Sequence, residues 1–563
     1  MDTVFESISI QTIAFGSCHK NSYVSSQDPS CSSSSDNSSA SSSVRSNGTI
    51  WHSITHKTKP DLFLWLGDAV YSPNSKGIAS LDTLAKEYQT MLTDTRIGYT
   101  DFLHSMQSST TAGMIIGGTW DDHDYGGNDY GKEMIEKIQR QGLFLKFLHN
   151  STKLASKLEV SSSSSSLRQG VYSAMTFHGP SSSSSSSILV LSLDTRSGRD
   201  YHIIPSLGGN KYFPKLGSII GSFTRWLTAA FYRVPLYSNA SSSSTSSRSI
   251  NTDEKSSGSN ASSSNRVMLD EEQWKWLEQY LSISSSSSVE NLPSVILILS
   301  SIQVLTTNPL FESWGHFPQE KLRLLRLVND YSKTRKERNT NDSFAILFLS
   351  GDVHHGEILD SSQILLSSRT HHGDTTTTTS SIMNGRIMEV TSSGMTHSLS
   401  NSFHKIFVGP ALDIFSSHRY KATNNKNNNK NRTRMNHTSF YFLGRNYGSI
   451  QIHGSSSTNP QDDDELQLQI NIHNHHGDVI LTSMPQPLSF YSFNMTDQEL
   501  YDIAYSCLNG HVLNRILQGM SYLHNISVLL VVVFMGLVLW KRREIRPWRR
   551  RKQLQPSTKT KSS

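Results

Sequence analysis

Five β-type runs in this chain stop in residues that can hold a cation, and that pattern constrains the fold more than any other feature. Ile13–Phe15 runs into Gly16, Ser17, Cys18 and His19; Leu64–Leu66 runs into Gly67, Asp68 and, three residues on, Tyr71. Ile115–Trp120 runs into Asp121, Asp122, His123 and Asp124. Leu189–Leu193 ends at Asp194 and Arg196, and Ile346–Ser350 ends at Gly351 and Asp352, with His354 and His355 behind it. Side chains at strand ends are held by a rigid sheet while the loops beyond stay open to substrate. Singly the pieces are weak, because an Asp after Gly more often caps a turn and a lone buried Cys is usually apolar filler. Three carboxylates around His123 are stronger, since they repel one another unless cations neutralise them.

Strand patterns lie at Ile8–Phe15, Asp61–Leu66, Met114–Thr119, Ile188–Leu193, Val295–Ser300 and Ala345–Ser350, with later ones at Arg386–Thr391, Gly448–His453, Leu466–Ile472 and Val479–Ser483. Helical patterns lie at Leu81–Thr93, Lys132–His149, Asp270–Leu281 and Gln319–Tyr331. Strands alternating with helices predict a layered α/β body. Serine- and asparagine-rich tracts, such as Ser25–Ser46, Ser238–Ser264 and Asn424–Asn431, cannot bury enough apolar area to offset their ordering entropy. They read as disordered insertions in one domain, placed at residues 1–515. They also explain an apolar content of only 35%, which understates the dense segments between them.

The formal charge of +6 belongs to the tail. Residues 541–563 carry ten Lys or Arg against one Glu, which leaves the rest mildly acidic and gives no reason to expect nucleic-acid binding. Just before that tail, Tyr522–Trp540 would span roughly 28 Å as a helix, close to the hydrocarbon thickness of a bilayer. A single transmembrane helix at 522–540 is therefore expected. By the positive-inside rule the tail is cytosolic and the body lumenal or extracellular. No signal peptide is visible at Met1. A leader upstream of Met1 is the favoured reading, and a tail anchor acting alone is the other. Asn150, Asn341 and Asn494 head glycosylation sequons, which suit the favoured reading. Cys18, Cys31 and Cys507 are too few and too scattered for a disulfide framework.

The order G-S-C, G-D-x-x-Y, W-D-D-H-D, L-D-T-R and S-G-D-V-H-H resembles the PhoD-like metallophosphatases of the alkaline phosphatase D type. The G-D-x-x-Y and D-x-H elements are also similar to the calcineurin-like purple acid phosphatases. Further similarity lies in the stretch from Leu269 through Trp274 to Leu277, in Ser301–Val304, in Glu312–Pro318 and in Glu389–His397, so the resemblance runs from about Thr12 to His397. It implies a four-layer α/β/β/α metallophosphatase sandwich holding two metal ions, iron with calcium or another divalent cation. Cys18 and Tyr71 would bind the first metal, Asp68 would bridge, Asp122 would bind the second, and Asp352 and His354 would complete the set. Thiolate, phenolate and imidazole suit iron, and hard oxygens suit a hard second cation. His123 would face the leaving group, Arg196 would hold a phosphate oxygen or serve as an ion-pair partner, and His355 or His19 would contact substrate or metal. Asp121 and Asp124 would support the ligands.

The activity implied is hydrolysis of a phosphoester by metal-activated water, on diesters or monoesters, with a slight lean to diesters. The competing expectation is a catalytically inactive, membrane-tethered scaffold on the same fold, which the complete set of ligand positions disfavours. The His473, His475 and His476 tract is read as strand and turn rather than as a metal site, and Trp274 and Trp276 as core. The oligomeric state stays open.

Overall fold

The structure is a computed structural model. It describes residues 2–21, 49–72, 77–109, 113–157, 168–180, 186–201, 266–283, 292–371, 386–400, 440–454 and 466–507, together with 408–409, 412–413, 416 and 419–420. The chain divides into a unit of residues 1–508 and a second of 509–563. The predicted membrane helix 522–540 and tail 541–563 lie outside the described residues, as do Cys31 and the serine- and asparagine-rich tracts named above. Among the described residues no helix is long and apolar enough to cross a membrane. Cys18 and Cys507 are free thiols.

Among the described residues, fifteen strands form two sheets. In chain order they are β1 (Thr3–Ser9), β2 (Thr12–Gly16), β3 (Leu62–Leu66), β4 (Ile115–Thr119), β5 (Ser173–His178), β6 (Ser187–Ser192), β7 (Val295–Ser300), β8 (Ala345–Ser350), β9 (Gly356–Asp360), β10 (Met388–Ser392), β11 (Tyr441–Phe442), β12 (Asn446–His453), β13 (Gln467–Asn474), β14 (Val479–Thr482) and β15 (Gln486–Pro487). One sheet runs β1-β5-β6-β7-β8-β10-β9-β11, and the other runs β14-β13-β12-β2-β3-β4, with β15 on β13. Strands β6, β7, β8 and β10 are mutually parallel, as are β2, β3 and β4.

Uninterrupted apolar strands are what a sheet covered on both faces requires. In β3, Leu62, Leu64 and Leu66 enter the core between the sheets, while Phe63 and Trp65 enter a second core outside. In β7, Val295, Leu297 and Leu299 join the same inter-sheet core, and Ile296 and Ile298 face the other way. Helices Leu81–Thr93, Tyr99–Ser109 and Lys137–Ala155 supply residues to the core outside the smaller sheet. Helices Glu271–Tyr280, Pro318–Arg338 and Asp497–Ala504 do so for the larger one, where Trp274 and Trp276 are buried as expected. Two sheets packed face to face with helices outside make a mixed α/β body.

One expected strand is in fact two. Ile8–Phe15 breaks at Ile10 and Gln11, and its halves enter different sheets. The break is held by Ile10, whose N–H donates to the His178 carbonyl, and by the Asp61 carboxylate, which accepts the N–H groups of Gln11 and Thr12 at 2.9 and 2.8 Å.

Candidate metal centre

Parallel strands place their C-terminal ends on one edge, so the loops after β2, β3 and β4 meet those after β8 and β10. Glycine makes the meeting close. A Cβ on Gly67 would lie 2.4 Å from the Asp121 Cβ, and one on Gly351 would lie 2.5 Å from the Leu66 carbonyl oxygen. The loops then turn through left-handed backbone that L-residues rarely adopt. Cys18, Asp68, Asp352 and His354 have φ of 60°, 53°, 67° and 58°, and they are four of the seven non-glycine residues with positive φ among those described. Such a conformation costs about 1–3 kcal/mol each, and it persists where the surroundings over-determine it, most often at functional sites.

The side chains converge accordingly. The Cys18 Sγ lies 3.5 Å from Asp68 Oδ2 and 3.8 Å from the Asp352 carbonyl oxygen. The Tyr71 hydroxyl donates to Asp68 Oδ2 at 2.7 Å, and the His123 backbone N–H donates to Asp68 Oδ1 at 3.2 Å. His123 packs its ring on Tyr71 with centroids 3.9 Å apart, and it keeps 29% of its side chain exposed. Donor atoms of Asp68, Asp122 and His123 lie within 4.8 Å of one another, and so do those of Asp122, Asp129 and Glu312. Acidic and histidine groups able to hold a metal are thus assembled here.

The electrostatics fit a cation. Burial, followed by the charges of Asp122, Asp121 and Asp124, pushes the Asp68 carboxyl well above the usual carboxylate range. Burial, then Asp68, likewise raises the Cys18 thiol and the Tyr71 phenol. Buried oxygens Asp121 Oδ2 and Asp122 Oδ1 have no hydrogen-bond partner. A cation among these donors would relieve the repulsion and draw thiol and phenol towards their ionised forms.

Three other predicted residues are placed differently from the group around Asp68. Arg196 is fully buried; its Nε donates to Asp121 Oδ1 at 2.5 Å and its Nη1 to Glu312 Oε1 at 3.1 Å, while Arg199 also pairs with Glu312. It occupies the ion-pair position that the sequence left open beside a phosphate contact. His355 is fully buried, with Nδ1 2.9 Å from the Val353 carbonyl oxygen and Nε2 3.2 Å from Glu357 Oε1. His19 accepts the Trp51 indole N–H at 3.1 Å, and burial lowers its imidazole pKa to about 3. Asp124 accepts the N–H groups of Ala69, Val70 and Asp121, so it ties two loops together.

Sequence reasoning assigned no role to Ser393 or His397, which close the site from the end of β10. The Ser393 hydroxyl accepts the His354 N–H at 2.7 Å and lies 3.0 Å from the Cys18 Sγ. Their signal was the Glu389–His397 stretch, whose similarity was visible without a role attached. A cavity of about 560 Å³ on the outer face of β12, β13 and β14 is lined by Ser449, Gln451, Gln469 and Asn471 among others and contains none of these residues. His473 there is a strand residue whose Nε2 lies 2.8 Å from the Ser449 hydroxyl.

No family model matches this chain, and no curated protein matches it. One solved structure, described as "Structure of PhoD", is similar at 14% identity and a TM-score of 0.40, over 90% of this chain and 78% of that one, a likeness too distant to carry an argument about this chain.

Proposed function

We propose that this chain is a metal-dependent phosphoester hydrolase of the PhoD-like kind, with phosphodiesters as its first substrate class. The observation that carries the reading is the cluster of Cys18, Asp68, Tyr71, Asp122 and His123 around buried, mutually repelling carboxylates, with Asp352 and His354 on the facing loop. Cys18, Asp68, Tyr71, Asp352 and His354 would hold the first cation and Asp68 with Asp122 the second; iron with calcium or another divalent ion suits those donors. When bound, the cations would offset phosphoryl charge and lower the pKa of a water.

The chain's own residues do the rest. His123, half-exposed above Tyr71, gives its proton to the departing alkoxide oxygen. Arg196 and Ser301 hold Asp121, and through it the turn carrying Asp122 and His123, in place.

The test is hydrolysis of a chromogenic phosphodiester by the full chain beside Asp68→Asn and Asp352→Asn. Both variants are expected to keep the fold, by circular dichroism, and to lose turnover. Full activity in either sinks the assignment. If wild type is metal-loaded but inactive on diesters, the class shifts to monoesters; if it binds no metal, the scaffold reading replaces this one.

A further inference from the structure

We propose that His397 is a substrate-contacting residue of this site, whose imidazole N–H holds a non-bridging oxygen of the phosphoryl group. The inference rests on the hydrolase reading above and adds a residue to it.

The loop that carries His397 is fastened to the two loops that carry the candidate ligands. The N–H groups of Gly394 and Met395 both donate to the Ser17 carbonyl, at 3.2 and 3.0 Å. Those of Thr396 and His397 both donate to the Cys18 carbonyl, at 3.3 and 3.1 Å, and that of Leu399 donates to the His354 carbonyl at 3.2 Å. The Thr396 hydroxyl accepts the Lys20 N–H at 2.6 Å and donates back to its carbonyl at 3.2 Å. Rigid support of this kind is what a contact residue needs to hold its geometry.

The ring completes a wall. Its centroid lies 4.4 Å from that of His354 and 5.3 Å from that of Tyr71, edge-on to the phenol at 75°. On the other side Tyr71 meets His123 at 3.9 Å. The four rings therefore run His123, Tyr71, His397, His354, and His397 joins a residue after β3 to one after β8.

The chemistry of that position is selective. A phosphate ester brings negative oxygens towards Asp68, Asp121 and Asp122, and each oxygen needs a donor or a cation to offset the repulsion. Arg196, the nearest guanidinium to Asp121, is already engaged by Asp121 and Glu312. An imidazole at the half-exposed edge supplies an N–H without adding a further anion. A tetrahedral oxyanion is thus the ligand class that this side chain fits.

The experiment uses the full chain, metal-loaded, as wild type, His397→Ala and His397→Gln. It measures steady-state hydrolysis of a chromogenic phosphodiester, inhibition by inorganic phosphate, and bound metal by elemental analysis. In His397→Ala the phosphate inhibition constant and KM are expected to rise roughly tenfold, the loss of one hydrogen bond to a charged acceptor, with metal content unchanged. His397→Gln keeps an N–H donor and should recover part of the loss. It also carries the test if the alanine variant does not fold. Unchanged inhibition and KM in both variants overturn the proposal, and loss of bound metal in the glutamine variant overturns it in favour of a ligand role. A wild type that neither turns over ester nor responds to phosphate, and so matches Asp68→Asn, brings down the hydrolase reading itself. An active wild type matched by its His397 variants brings down only this inference.

Discussion

A single hydroxyl illustrates how much this site depends on its loops. Ser393 is fully buried, accepts the His354 N–H at 2.7 Å and approaches the Cys18 sulfur at 3.0 Å. Its oxygen is engaged by that N–H, and a Ser393 proton turned to the sulfur would suit a thiolate acting as a ligand. Removing the hydroxyl leaves a donor without its acceptor inside the protein, which costs about 1–3 kcal/mol. Ser393→Ala is therefore expected to lower the unfolding free energy from urea titration by that amount, and Ser393→Thr, which keeps the hydroxyl, to recover most of it. Equal stability in all three proteins would show that the hydroxyl makes no contribution of this kind. The candidate ligands were legible in the sequence, because Asp, His, Cys and Tyr at strand ends advertise their chemistry. Backbone twist was not: Asp and His visit positive φ more readily than most residues, but nothing sets Asp68, Asp352 and His354 apart from the other Asp and His of the chain, and Cys18 gives no sign at all. His355 and Arg196 show the same gap: their spacing from the strand ends was visible, but the direction each side chain takes is set by its carboxylate partner, Glu357 two residues on for His355 and the distant Glu312 for Arg196.

Strands were read most faithfully where both faces are buried. Val295–Ser300 and Ala345–Ser350 occupy the expected residues, because continuous apolar runs of that length admit few other structures. Weaker patterns were missed: Ser173–His178 carries Thr and His among its apolar residues, and Gly356–Asp360 begins and ends in residues common in turns. The helix expected at Lys132–His149 is Lys137–Ala155, shifted because Gly131 and the turn at Glu136, with φ of 56°, delay its start. The two-faced burial makes a prediction at this scale. Ile298 in β7 and Leu297 beside it enter opposite cores, so alanine at either should cost about 2–5 kcal/mol in urea unfolding. In β13, Ile470 faces the inter-sheet core while its neighbour Gln469 is only half-buried, so Ile470→Ala should cost as much and Gln469→Ala should stay within about 0.5 kcal/mol. A costly Gln469→Ala would mean that the outer face of this strand carries more of the fold than its polar residues imply.

At the scale of the molecule, the site is the seam between two sheets. Cys18, Asp68 and Asp122 follow strands of the smaller sheet, while Asp352, His354 and Ser393 follow strands of the larger one. Anything that holds their side chains together also holds the sheets together, so cation binding and folding are linked. The sign of the linkage with pH follows from the carboxylates. Burial, and to a lesser degree Asp121, pushes the Asp124 carboxyl up to about 7 from its ordinary 3.8, and Asp68 and Asp121 are raised in the same direction. Without a cation, the folded protein keeps protons that the unfolded chain has released. Its stability therefore falls as pH climbs from about 4, and the loss is complete only above about 7. Buried histidines act in the opposite sense. His473 and His19, lowered by burial to about 4 and about 3, cost stability as pH drops below the ordinary histidine range. Loaded and chelated protein share the contribution of His473 and His19, so the difference between their melting temperatures reports the groups that surround the cation. That difference is expected to widen steadily as pH is raised from about 5 to about 8, because the cation replaces protons that the cluster would otherwise need. A difference that stays flat across the range would mean that no cation is held among Asp68, Asp121 and Asp122, and the acidic seam would then have to be closed by protonation alone.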